Sequence, residues 1–158
     1  MALVHEKLYR SKDLATIPMN EYIRALSTNL LTLYSLAPGK VQLSIEMTDL
    51  VFDINTAIPV GLIMNELITN VFKHAFPEGH SGKILISGHQ TDSQVTITVQ
   101  DTGVGLPPGI NLKESTSLGI HLIQTLTQQI HGILEIASEP GKGAVFTITF
   151  PRSLSKGA

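Results

Sequence analysis

Apolar residues in the first part of the chain recur every three or four positions, which is typical of amphipathic helices. These positions are Leu3, Val4, Leu8, Tyr22, Ile23, Leu26, Leu30 and Leu33. The dipeptide Ile17-Pro18 interrupts the pattern, and Pro38-Gly39 marks a turn after it. We therefore predict two helical stretches that are separated near Ile17 and end at about Ser35.

From Val41 onward the period changes to two, as in a strand with one buried face. The alternating apolar residues fall into five groups: Val41, Leu43, Ile45 and Met47; Ile84 and Ile86; Val95, Ile97 and Val99; Leu134 and Ile136; Phe146, Ile148 and Phe150. Two further helical patterns, over 57–74 and 118–131, are long enough to cover the apolar face. We predict an α/β fold, a two-layer α/β sandwich in which helices cover one face of a mixed β-sheet, preceded by a helical segment.

The helical segment 59–75 carries a polar arc of mixed chemistry. One continuous apolar arc contains Leu67, Val60, Val71, Met64, Ala75, Ile68 and Phe72. Glu66, Asn70 and Lys73 lie on the opposite arc, and Glu66 and Asn70 are one turn apart. A carboxamide oxygen suits Mg²⁺, a carboxylate beside it can orient a nucleophile, and a lysine can meet phosphate. A surface Glu–Lys arrangement on an amphipathic helix is the alternative meaning of this spacing.

The strand pattern of 94–101 ends in a carboxylate on its apolar side. The alternation places Asp101 on the same face as the three apolar residues of the strand. A buried carboxylate is costly unless it is hydrogen bonded, and the amino group and ring nitrogen of an adenine, helped by a water, can satisfy it. Gly103 and Gly105 allow the backbone to approach a flat ligand or to turn sharply. A tight turn anchored by an aspartate is the simpler alternative.

A second helix is expected to open at Ser117-Leu118-Gly119, after a short polar loop over 106–116. A helix N-terminus presents free N–H groups and the positive end of its dipole to an anion. The loop is therefore a candidate lid over a phosphate chain. Ser117 as a plain helix cap is the alternative, and a cap leaves the remaining N–H groups pointing outward.

Composition excludes several classes of partner. The 158 residues are 42% hydrophobic and 15% charged with a net charge of −2, which predicts a packed domain without a basic surface for nucleic acid. The absence of cysteine excludes disulfides and thiolate metal sites, and it fits a cytoplasmic protein. No apolar run has the length of a membrane span, and the N-terminus lacks the pattern of a signal peptide.

Taken in order, the motifs resemble those of the Bergerat-fold ATPases, the GHKL superfamily that includes histidine kinases, DNA gyrase B and MutL. The stretch Asn65-Glu66-Leu67-Ile68-Thr69-Asn70-Val71-Phe72-Lys73-His74-Ala75 resembles the N box. Asp101-Thr102-Gly103-Val104-Gly105 resembles the first glycine box, and Ser117-Leu118-Gly119-Ile120 resembles the second. Gly141-Lys142-Gly143-Ala144-Val145-Phe146 matches the last glycine motif. The resemblance extends over about 41–151.

The resemblance implies a nucleotide site and its cofactors. ATP would bind with its adenine against Asp101, and Asn70 would hold Mg²⁺ against the phosphates. Glu66 and Lys73 would be the catalytic residues. Further nucleotide contacts would come from His74, Gly103, Gly105, Ser117, Leu118 and Gly119.

Within the superfamily, the compact lid favours a sensor histidine kinase of a two-component system, which transfers the γ-phosphoryl group to a histidine outside this chain. Residues 1–35 are then expected to be the end of a dimerisation and phosphotransfer region. Residues 36–152 would be the ATP-binding catalytic domain, and 153–158 a disordered tail. The expected partners are a histidine-bearing dimerisation domain and a response regulator, and the N-terminal helices would support a homodimer. The alternatives are an anti-sigma-factor-type serine kinase with the same nucleotide site and a non-catalytic docking module.

Overall fold

A computed structural model describes residues 16–33, 41–76, 81–105 and 118–152 of the chain. The helices in these ranges are α1 (Met19–Leu33), α2 (Ile54–His74) and α3 (Leu118–Gln129). The strands are β1 (Ile17–Pro18), β2 (Val41–Met47), β3 (Val51–Phe52), β4 (Gly82–Gln90), β5 (Gln94–Asp101), β6 (Ile133–Glu139) and β7 (Gly143–Pro151). The predicted first helix, the lid loop with Ser117 and the tail lie outside the described residues.

Five strands form one mixed sheet in the order β2-β4-β5-β7-β6. Strands β2 and β4 are parallel, and the other neighbours are antiparallel. The inner face of the three central strands is buried, and it carries Ile84, Ile86, Val95, Ile97, Val99, Phe146, Ile148 and Phe150. The predicted strands and the two-layer α/β fold are therefore confirmed, because burial of a single face imposes the period of two.

Helix α2 lies at the centre of the helical layer and packs against both α1 and α3. All seven residues of the predicted apolar arc are buried. The helix begins at Ile54, three residues before the predicted start, because the side chain of Asp53 caps it by accepting a hydrogen bond from Thr56 N–H at 2.9 Å. At the other end, Ala75 N–H donates to the carbonyl of Val71.

Helix α1 is packed tightly against α2. Tyr22, Ile23, Leu26 and Leu30 are buried as the pattern predicts, and they belong to the same core as the sheet. Gly61 of α2 makes this approach possible, because an ideal Cβ there would lie 2.8 Å from the hydroxyl oxygen of Tyr22. The predicted division of the chain into 1–35 and 36–152 remains a prediction.

The predicted break at Ile17-Pro18 is a short strand. Strand β1 pairs antiparallel with β3, with Ile17 opposite Phe52. Met19, the residue after β1, continues this contact, because its N–H donates to the carbonyl of Leu50 at 2.8 Å. A strand of two residues has no measurable period, so the sequence pattern indicates only an interruption here.

Helix α3 buries one side against the rest of the core. Its buried residues are Ile120, Ile123, Leu126 and Thr127. Leu122 is 36% exposed. No helix in the described part of the chain is both long enough and apolar enough to cross a membrane.

Candidate nucleotide site

Asp101 is the last residue of β5, and it is only 4% exposed. Its Oδ1 accepts a hydrogen bond from Gly103 N–H at 2.8 Å, and the backbone of Ala144 supplies another hydrogen bond. Burial raises the pKa of the carboxyl group, while the two backbone hydrogen bonds act in the opposite direction. The predicted inward position of this carboxylate is confirmed.

Asp101 belongs to a row of side chains that crosses the inner face of the sheet. Ile84 of β4 is its register partner on one side. On the other side, the pairing of Gln100 with Val145 brings Ala144 of β7 opposite Asp101. Ser138 of β6 pairs with Ala144 and completes the row. The carboxylate is thus flanked by a branched apolar side chain and by a single methyl group.

The turn after Asp101 continues the sheet for one more residue. Thr102 N–H donates to the carbonyl of Lys83 at 3.1 Å, and Thr102 Oγ1 accepts the N–H of Lys83 at 2.9 Å. The buried Phe76 and Thr102 both lie against Gly82, where an ideal Cβ would be 2.6 Å from Thr102 Oγ1. These contacts hold the turn against the start of β4.

The two glycines of this turn are required by contacts within the protein. An ideal Cβ on Gly103 would overlap the carbonyl oxygen of Ala75, which also accepts a hydrogen bond from Val104 N–H at 2.9 Å. Gly105 has a φ of +75° and lies against the carbonyl of Glu139. The approach of a flat ligand to Gly103 and Gly105 remains a prediction.

The polar arc of α2 lies on the last turns of that helix. Glu66 and Asn70 are half-buried, whereas Lys73 and His74 are exposed. The hydrogen bond between Ala75 and Val104 joins the end of this helix to the turn after β5. The structure therefore brings the helix of the N box and the turn of the first glycine box into direct contact.

The second glycine box is described only in part. Leu118 is the first residue of α3, and Gly119 is half-buried in its first turn. Ser117 lies outside the described residues. Helix α3 packs against α2, so its first turn belongs to the same helical layer as Asn70.

The donor groups fit a magnesium ion that takes most of its ligands from phosphates and water. In the described part of the chain, no group of three His, Asp or Glu side chains is placed to hold a metal ion. Mg²⁺ in nucleotide sites uses one or two protein oxygens and several waters. The half-buried amide of Asn70 is a donor of this kind.

Comparison with known families identifies the chain. Residues 55–154 match the model of the histidine kinase-, DNA gyrase B- and HSP90-like ATPases, and the chain belongs to this family. Residues 1–34 match a second model, that of the histidine kinase family HisKA_2. The resemblance found in the motifs is confirmed, and membership of this family implies ATP as the nucleotide.

The relatives with similar sequences are sensor kinases. Blue-light-activated histidine kinase 2 of Erythrobacter litoralis is 27% identical over 158 residues, which cover 94% of this chain and 45% of that protein. Sensor histidine kinase PdtaS of Mycobacterium tuberculosis is 29% identical over 103 residues, covering 64% of this chain and 21% of that protein. The chain spans less than half of the length of these curated relatives.

A solved structure shares the fold. The histidine kinase domain of the blue-light activated histidine kinase EL346 from Erythrobacter litoralis superposes with a TM-score of 0.86 at 24% identity. The superposition covers 98% of this chain and 74% of that domain. The likeness therefore extends over the sheet and all of the described helices.

Sequence reasoning recognised the last glycine motif but gave it no role beside Asp101. In the structure, Ala144 supplies a hydrogen bond to the carboxylate, and the backbone of Gly143 lies against the carbonyl of Asp101. The hydrogen bond from Val104 N–H to the carbonyl of Ala75 is a third contact, and no sequence motif predicts it. The first two depend on which strands are neighbours, and the third depends on how α2 packs against the turn after β5. Only the glycines themselves give a signal in the sequence.

Proposed function

We propose that this chain contains the ATP-binding catalytic domain of a two-component sensor histidine kinase, which transfers the γ-phosphoryl group of ATP to a histidine outside the chain. The observation that carries the proposal is Asp101, a buried carboxylate whose turn is hydrogen bonded to the end of the helix that carries Asn70. Membership of the ATPase family and the sensor kinases among the relatives support it.

Asp101 recognises the base. An ionised carboxylate only accepts hydrogen bonds, and the exocyclic amino group of adenine is a donor. The bond from Gly103 engages Oδ1, and it fixes the direction in which the carboxylate faces. Ala144 lies opposite Asp101 on β7 and carries only a methyl group, so a flat ring bound at the end of β5 would meet a small side chain there.

Asn70 and Lys73 bind the phosphate end of the nucleotide. They lie on one arc of α2, with Asn70 nearer to the core and Lys73 at the exposed edge. Mg²⁺ held by Asn70 would neutralise charge on the β- and γ-phosphates. Lys73 adds a point charge, and His74 and the first turn of α3 at Leu118-Gly119 complete the surroundings of the phosphates.

Catalysis then consists mainly of positioning and charge stabilisation, since phosphoryl transfer needs little covalent chemistry from the protein. Glu66 is one turn before Asn70 on the same arc. Its carboxylate orients the attacking imidazole of the acceptor histidine and receives its proton. Ser117 remains a predicted contact of the nucleotide.

Residues 1–35 are proposed to be the end of the dimerisation and phosphotransfer region, and residues 36–152 the catalytic domain. The match of residues 1–34 to a histidine kinase model supports this assignment. The acceptor histidine lies on a dimerisation domain, a homodimer forms through these helices, and a response regulator takes the phosphoryl group onward. The reaction takes place in the cytoplasm.

Calorimetric titration with a non-hydrolysable ATP analogue tests the proposal, with and without Mg²⁺. Wild type should bind, Mg²⁺ should strengthen binding, and Asp101→Asn should abolish it. Asp92→Asn is the matched control, because it neutralises an exposed carboxylate in the turn between β4 and β5. A well-folded wild type that binds no ATP analogue would refute the proposal.

The acceptor is tested separately with radiolabelled ATP and a dimerisation domain that carries a histidine. Phosphohistidine is labile in acid, whereas phosphoserine is stable. Radioactive label that survives acid treatment would contradict the histidine kinase proposal. It would favour the alternative, a serine kinase with the same nucleotide site.

A further inference from the structure

The turn between β6 and β7, residues 139–143, touches the backbone of Asp101. Gly143 has a φ of +91°, and an ideal Cβ there would overlap the carbonyl oxygen of Asp101. The next residue, Ala144, supplies a backbone hydrogen bond to the carboxylate of Asp101. The position of this side chain in space therefore depends on the path of the chain through Gly143 and Ala144.

The same turn holds the far end of the glycine turn. Gly141 N–H donates to the carbonyl of Val104 at 2.8 Å. An ideal Cβ on Gly105 would lie 3.0 Å from Ser138 Oγ, and Ser138 Oγ donates to the carbonyl of Gly143 at 3.3 Å. Residues 101–105 are thus held on one side by α2, through Ala75, and on the other side by the β6–β7 turn.

The β6–β7 turn has its own internal support. Lys142 N–H donates to the carbonyl of Glu139 at 2.9 Å, and the two side chains form an ion pair at 3.3 Å. The ion pair is exposed, and such pairs contribute little to stability. The backbone contacts, rather than the charges, therefore fix the shape of the turn.

We propose that the β6–β7 turn, together with Ser138 of the preceding strand β6, is a positioning element of the nucleotide site, in which Gly143 and Ser138 set the place where Asp101 presents its carboxylate to the base. This proposal rests on the proposed function, because it assumes that Asp101 reads adenine. Hydrogen bonds weaken steeply as their length and angle depart from the preferred values. A shift of the Asp101 backbone therefore lowers base discrimination before it prevents folding.

Base discrimination is the measurement that a purely structural role would not change. Adenine presents an amino group where guanine presents an oxo group, so the carboxylate attracts one base and repels the other. The quantity measured is the ratio of the dissociation constants for GDP and ADP, by calorimetry on the whole chain. Partial unfolding lowers the number of sites for both nucleotides and leaves this ratio unchanged.

Gly143→Ala is compared with Gly141→Ala. Both glycines lie in the same turn with similar φ values, +91° and +79°, so an alanine is strained to a similar degree in each. A Cβ on Gly141 meets nothing within 4 Å, and its N–H is retained. We expect Gly143→Ala to lower the ratio about tenfold, the order of one hydrogen bond to a charged group, whereas Gly141→Ala keeps the wild-type ratio.

Ser138→Ala is a second, milder variant that decides the matter if Gly143→Ala does not fold. It removes the hydroxyl group beside Gly105 and should lower the ratio by about threefold, as expected for a neutral hydrogen bond. A folded Gly143→Ala or Ser138→Ala that keeps the wild-type ratio would overturn the proposal. A wild type that binds ADP and GDP equally would instead overturn the base-reading role of Asp101, and it would be recognised before any variant is made.

Discussion

The carbonyl oxygen of Ala75 accepts a hydrogen bond from Val104 N–H at 2.9 Å, and it also occupies the space that a side chain on residue 103 would need. One backbone atom thus connects the C-terminal end of α2 to the turn after β5. The amide of Asn70 lies on that helix, and the carboxylate of Asp101 precedes that turn. Displacement of either element displaces the other, so the proposed metal ligand Asn70 and the proposed base-reading residue Asp101 are mechanically linked.

Gly103→Ala should destabilise the protein by about 2 kcal/mol, since the new Cβ overlaps backbone that cannot rotate away. Gly88→Ala is the matched control. A Cβ on Gly88 meets the terminal methyl group of Met47 at 2.8 Å, and that flexible side chain can move. The control should cost less than about 1 kcal/mol. Urea unfolding measures both, and equal losses would show that the Ala75 carbonyl is not the cause.

Asn70→Ala should lower phosphoryl transfer by at least about 100-fold and remove the effect of Mg²⁺ on nucleotide binding. The fold should be unaffected, because Asn70 lies on the polar arc of α2 and outside the buried core. Asn55→Ala makes the same substitution at an exposed position in the first turn of α2, and it should leave transfer unchanged. If phosphoryl transfer persists in Asn70→Ala, the assignment of Asn70 as the metal ligand is wrong.

The elements that the sequence predicts well are those in which burial repeats along the chain. The period of two in β5 follows from one buried face, and it also assigns Asp101 to that face. The predictions fail where structure depends on a distant partner. Strand β1 exists only because β3 lies beside it, and Ala144 meets Asp101 only through the register of β5 with β7. Register across an antiparallel pair is a property of the assembled sheet, which neither strand encodes alone.

The same limit applies to the glycines. A glycine in the sequence indicates that a side chain is absent, but it does not say which atom needs the space. At Gly103 the carbonyl of Ala75 occupies the space that a side chain would need, and at Gly61 the ring of Tyr22 does so. Both partners lie on other elements and reach the glycine only after folding.

Asp101→Asn should raise the stability of the protein relative to wild type as the pH increases. Burial raises the pKa of Asp101 above its ordinary value of 3.8, so the folded state binds the proton more tightly than the unfolded chain does. The charge therefore weakens folding as the pH rises through the folded-state pKa. An amide carries no charge, so the difference in the free energy of unfolding, variant minus wild type, should increase as the pH rises from 3.8 through the folded-state pKa.

Urea unfolding at a series of pH values measures this difference, and Asp92→Asn provides the baseline for an exposed carboxylate. A difference that decreased with rising pH would mean that the two backbone hydrogen bonds lower the pKa of Asp101 by more than burial raises it. The variant is expected to gain stability and lose ATP binding together, as happens when a binding site contains a group that the fold alone would not favour.

His131→Gly should raise the free energy of unfolding by about 0.5 kcal/mol. His131 has a φ of +58° at the end of α3, where Gly132 N–H closes the helix on the carbonyl of Thr127 at 2.8 Å. Glycine adopts this left-handed conformation without the steric cost that a side chain incurs, and part of that gain is lost to the greater freedom of the unfolded chain. His131→Ala keeps the Cβ and should bring no gain in urea unfolding. An equal gain in both variants would point to the imidazole rather than to φ.

The fit of Tyr22 against Gly61 also sets a rule for building fusion proteins from this domain. Helix α1 covers one flank of α2, and β1 before it is hydrogen bonded to β3, so a foreign input module joined at residue 36 would strip away part of the core. The exposed flank of α2 would then promote aggregation. A fusion joint placed before Ile17 keeps this cover in place.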